Sequence, residues 1–280
     1  MALVATCVFA LPRLAVDGRS DGRADNQALI SGQVALSGLE AGACIGFGQS
    51  SRTVFIDAGH GGLDPGVVGT AGGKQVLEKD AALAVATRLT SDLHSAGYRV
   101  VMARTLDSSV TPLGSGDSVY GAMTAAAVHR DLLARIACAN TSQASVLLSI
   151  HFDGFDDPSV GGTETFYDAA RPFASENKRL ATDLQAALVA GLGSNDRGTF
   201  TDDEVAAPTL TSSGSLYGHL IELGPAEPGW VDSPSQMPGA LVEPLFITNP
   251  SEAGVASDPA GQRRIALALE TGLEKYLSGA

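Results

Sequence analysis

The 280-residue chain is poor in cysteine, aromatic residues and basic charge. Its three cysteines, Cys7, Cys44 and Cys138, are too few and too scattered for a zinc-finger framework, and an odd count leaves at least one unpaired. Eighteen Lys and Arg against 31 Asp and Glu give a formal net charge of -13. A surface of that sign repels phosphate backbones and anionic headgroups, which argues against nucleic acid or an anionic membrane as partner. No stable membrane span is expected: the apolar start, residues 2–11, is too short to cross a bilayer as a helix.

What is present describes a globular protein. A hydrophobic fraction of 44% with 18% charged residues, at this length, suffices for a full core. Residues 2–11 resemble the apolar region of a secretory signal, although no basic stretch precedes them, and imply export to the periplasm, cell wall or exterior. Residues 16–26 read as a polar linker and 27–50 carry no firm pattern. Residues 1–50 are therefore expected to be an N-terminal extension, and 51–280 a single domain.

The domain is organised around Thr53-Val-Phe-Ile-Asp-Ala-Gly-His-Gly-Gly62. Val54, Phe55 and Ile56 predict a buried strand, and His60 follows it among glycines that tolerate positive φ. Apolar spacing from Ala82 to Ala96 predicts a helix starting near Leu77, and residues 98–103 predict a second strand, which together make a parallel βαβ unit. Residues 122–139 and 175–192 read as helices, 146–150 and 161–167 as strands, and 264–277 as a terminal helix. Residues 196–213 read as loop, 216–223 as a strand, 225–238 as a Pro-rich loop, and 239–242 as a short strand ending at Glu243. The fold class is α/β, a mostly parallel twisted sheet flanked by helices on both faces.

Two histidines, His60 and His151, each follow a strand directly, so one parallel sheet would bring both to one edge, where such sheets bind ligands. Glu78 follows the His60 loop at a helix start and could reach that edge, although a carboxylate there also complements the helix dipole. Two imidazoles and a carboxylate with an open position form a catalytic zinc site, and Glu243, ending another strand, could shuttle protons. His94, His129 and His219 read as surface or helix histidines.

Motif order adds to this. Ile56-Asp57-Ala58-Gly59-His60-Gly61-Gly62, Glu78-Lys79-Asp80, Ser149-Ile150-His151-Phe152-Asp153 and Leu241-Val242-Glu243 followed by Phe246-Ile247-Thr248-Asn249-Pro250 appear in sequence. Arg104, Arg135 with Ala139-Asn140, and Gly162-Thr163-Glu164-Thr165 lie between them. From about Thr53 to Leu277 the chain resembles the zinc-dependent N-acetylmuramoyl-L-alanine amidases of bacterial cell-wall metabolism, the amidase_3 type. The resemblance implies one Zn2+ bound by His60, Glu78 and His151, Glu243 as catalytic base and acid, and peptidoglycan as substrate. Phe152 stands where relatives often have a small residue, and Glu243-Pro-Leu-Phe246 replaces the usual Glu-x-Gly-Phe. Ile221-Glu222-Leu223-Gly224 echoes the same motif, but lacks the following Asn-Pro and ranks below Glu243. Two other readings stay open: a zinc peptidase or deacylase acting on another amide, and an inactive cell-wall-binding protein. Cys44 and Cys138 would be free to pair in an exported chain; Cys7 is an equal partner, and Cys138 alone also reads as a small buried hydrophobe.

Overall fold

The computed structural model describes residues 30–33 and 36–279. The apolar start, the polar linker at 16–26 and Cys7 lie outside the described residues. Eight strands form one sheet. In chain order these are β1 (Ile30–Gln33), β2 (Ala43–Phe47), β3 (Thr53–Ala58), β4 (Arg99–Arg104), β5 (Val146–Ile150), β6 (Thr163–Tyr167), β7 (Asp196–Thr201) and β8 (Gly239–Glu243). Their spatial order is β1-β2-β4-β3-β5-β8-β6-β7. The centre, β4-β3-β5-β8, is parallel throughout. Direction reverses at β2 on one side and at β6 on the other, and β7 runs parallel to β6.

Helices α1 (Glu78–Ser95), α2 (Ala125–Thr141), α3 (Ala174–Leu192), α4 (Pro250–Ser257) and α5 (Pro259–Ser278) cover both faces. Strand alternation sorts the side chains. Val54, Ile56, Ala58, Leu148 and Val242 face a large aliphatic core shared with Val85 and Leu89 of α1, Leu184 of α3 and Leu269 of α5. Phe55, Leu147 and Leu241 face the other way, towards Cys138 and Ala139 of α2 and towards Leu223 and Met237. Cys44 of β2 is disulfide-bonded to Cys138 of α2, so the alternative of an unpaired buried Cys138 does not hold.

Several sequence expectations need correction. Residues 196–201 form edge strand β7 rather than loop: Asp-Arg-Gly-Thr-Phe-Thr has no apolar run because the strand is only half-buried. Residues 216–223 do not form one strand. Only Leu216–Tyr217 pairs, with Thr209–Leu210, and residues 221–224 turn while Leu223 fills the second core. β1 and β2 draw residues before 51 into the sheet. The terminal helix begins earlier, at Pro259, where the Asp258 side chain caps it by accepting from Ala260 and Gly261 N–H groups.

Candidate active site at one edge of the sheet

β3, β5 and β8 end together, which brings His60, His151 and Glu243 to one edge. His60 itself takes φ 60°, a left-handed conformation unusual for a residue with a side chain, and Gly61 and Gly62 continue it at 128° and 61°. Gly59 has a different reason to be glycine. A Cβ there would overlap the His151 ring, so close approach rather than φ fixes the residue.

Glu78 opens α1 behind Leu77, whose side chain gives no cap. Its carboxylate turns inward and is 3% exposed. Oε1 lies 2.9 Å from His60 Nε2 and 2.9 Å from His151 Nδ1, and accepts from the Phe152 N–H. Oε2 accepts from the Val67 N–H at 2.7 Å. The two imidazole nitrogens are 3.1 Å apart. A tetrahedral zinc with ~2.0 Å bonds has donor–donor edges of about 3.3 Å, so three converging donors of this type at these separations fit a divalent metal.

The field agrees. Desolvation opposes charge on His60, yet Glu78 and Asp64 outweigh it and raise the imidazole to about 10. Glu78 is buried, which works against its ionisation, but His60 and His151 hold its carboxyl well below the ordinary range. Asp64 was legible only as part of an Asp-Pro-Gly turn. Its Oδ2 lies 2.9 Å from His60 Nδ1, leaving Nε2 to face the cluster, a contact of the kind that orients imidazoles able to ligate a metal.

Glu243 is a further buried carboxylate at this edge. Burial, then Asp153, Glu78 and Glu164, push its pKa well above the ordinary range, and its Oε2 is buried without a hydrogen-bond partner. Glu222 lies beneath this edge on the α2 face: its Oε2 accepts from Ser149 Oγ at 3.2 Å, and donor atoms of Glu222, Asp57 and His151 lie within 4.8 Å of one another. His94 ends α1, His129 of α2 stacks on Trp230, and His219 is not a helix residue but sits between Asp168 and Asp202.

Two buried arginines hold the edge together. Arg104 of β4 donates to the carbonyls of Ala58, Gly59 and Lys79, clamping the His60 loop to the start of α1. Arg135 of α2 donates to Asp57 at 2.6 Å, to Asp131, and to the carbonyls of Ala58 and His60. The motif arginines are thus backbone clamps beneath the site.

Two imidazoles, a carboxylate and a second buried carboxylate, set where parallel strands end, have the makings of a metal-assisted hydrolase. A family model described as N-acetylmuramoyl-L-alanine amidase, Amidase_3, matches residues 54–275, and the chain belongs to that family of amidases. It is 32% identical over 225 residues to N-acetylmuramoyl-L-alanine amidase LytC of Bacillus subtilis (strain 168), covering 80% of this chain but only 35% of LytC. With the germination-specific N-acetylmuramoyl-L-alanine amidase of the same organism it shares 29% identity over 229 residues, 82% of this chain and 81% of the other. Among solved structures, the CwlD amidase from Clostridioides difficile, in complex with the GerS lipoprotein, superposes with a TM-score of 0.63 at 26% identity, over 82% of this chain and 100% of that one.

Proposed function

We propose that the chain hydrolyses the amide between N-acetylmuramic acid and the L-alanine of the peptidoglycan stem, with one zinc ion held by His60, Glu78 and His151. The observation that carries this reading is the close approach of those three donor groups at the edge where Glu243 also lies buried with an unpartnered oxygen. A zinc ion held there would supply Lewis acidity to a carbonyl and to water. Asp64 keeps His60 in the tautomer that presents Nε2. Arg104 and Arg135 fix the loop that carries it. Glu243 accepts the proton of the attacking water and returns it to the departing amine.

The reading sets the enzyme to work outside the cytoplasm, and the Cys44–Cys138 disulfide is of a kind that persists in oxidising compartments. The test is release of stem peptide from purified peptidoglycan by wild type and Glu243→Gln, with zinc assayed on the same samples.

A further inference from the structure

The opposite edge of the sheet repeats the logic of the active-site edge. β6 runs antiparallel to β8, and β7 runs parallel to β6, so both finish at the rim farthest from His60 and His151. Asp168 directly follows β6 and Asp202 directly follows β7. Both are 0% exposed. Each satisfies one oxygen locally: Asp168 Oδ1 accepts from the Ala170 N–H at 2.7 Å, and Asp202 Oδ2 from the Leu220 N–H at 2.9 Å.

The remaining oxygens turn inward on His219. Its Nδ1 lies 2.9 Å from Asp168 Oδ2 and 3.3 Å from Asp202 Oδ1, and donor atoms of the three residues lie within 4.8 Å of one another. Asp168 Oδ2 is fully buried and, apart from its ion pair with His219, has no hydrogen-bond partner. A buried acceptor without a well-aligned donor is unfavourable, and more so when charged. Arg171 adds positive charge nearby, but its guanidinium is committed to the carbonyls of Gly224 and Ser235. The Tyr217 hydroxyl donates to Pro225 O. One imidazole offsets at most one of two adjacent carboxylate charges.

We propose that Asp168, Asp202 and His219 form a second divalent-cation site, of the carboxylate–imidazole type that takes Zn2+ or Mn2+. A cation there neutralises the buried acidic pair and ties the ends of β6 and β7 to the irregular segment that carries His219. The site is structural, separate from the reacting edge, and independent of the function proposed above.

The experiment counts zinc on the full chain after equilibration with Zn2+ and removal of free metal, in wild type, His151→Ala, His219→Ala and Asp202→Asn. The expected counts are two, one, one and one equivalents. Asp202→Asn keeps its shape, reads the site where His219→Ala fails to fold, and retains amidase activity. The remaining zinc of His151→Ala should raise its Tm, and a chelator should reverse that rise. One equivalent in wild type, lost in His151→Ala and kept in Asp202→Asn, overturns the second site. One equivalent lost in Asp202→Asn but kept in His151→Ala upholds it and instead overturns the ligand set at the other edge.

Discussion

The two faces of the sheet do different work. The face under α1, α3 and α5 is aliphatic, filled by Leu89, Leu184, Leu269 and their neighbours. The face under α2 mixes apolar packing with a buried polar chain: Asp131, Arg135, Asp57, Ser149 and Glu222 are joined by hydrogen bonds, and the disulfide closes its far side. Apolar packing is tolerant of exchange and non-directional. A charged network that donates to the Ala58 and His60 carbonyls is directional, and it fixes a loop that geometry alone leaves in a left-handed conformation. The comparison teaches that both faces hold the domain folded while the second also aims the site.

Substitutions can break that division. Arg135→Met should have the largest effect on stability, about 3–5 kcal/mol, because it leaves Asp57 and Asp131 buried without their cation. It should also weaken zinc affinity, since the His60 carbonyl loses its donor. Denaturant unfolding with metal titration reads both; a stability loss with unchanged zinc affinity would mean that this network does not aim the loop. Leu89→Ala on the aliphatic face should cost about 2–5 kcal/mol by opening a cavity, and leave the zinc Kd and the kcat of folded protein unchanged. A changed kcat would show that both faces tune the site. Replacing Cys44 and Cys138 together by serine should cost about 2–4 kcal/mol, from the 94-residue separation they close. In unreduced, denatured wild type, thiol counting should find one free thiol, that of Cys7; three would refute the bridge.

The sequence was most legible where one local signal sufficed. The Val54–Phe55–Ile56 run with its glycines marks β3 and the His60 loop, and the run ending at Ile150 marks β5. Since parallel strands finish at one edge, these two readings already place the imidazoles together. Edge strand β7 stayed hidden because half-burial removes the apolar alternation that betrays a strand. The 216–223 reading failed for the opposite reason: Leu220 and Leu223 are apolar because they pack down onto the α2 face from irregular backbone. Asp64 was visible as a turn residue, and only the fold brings its carboxylate to the far nitrogen of His60. His219 carries no motif, and its two aspartates arrive from strands 51 and 17 residues earlier in the chain.

The central claim, that the carboxylate ending β8 moves protons while a separate triad holds the metal, is tested most directly by one comparison. Stem-peptide release from purified peptidoglycan is measured for wild type, Glu243→Gln and Glu222→Gln, with zinc assayed on each. Glu243→Gln should keep fold and zinc and lose ~10²–10⁴-fold in rate, the usual contribution of a general base. Burial and Asp57 push the Glu222 carboxyl well above its ordinary range, and glutamine mimics the protonated form, so Glu222→Gln should remain active. An inactive Glu222→Gln beside an active Glu243→Gln would contradict the assignment of the base, and full activity in both would contradict the mechanism.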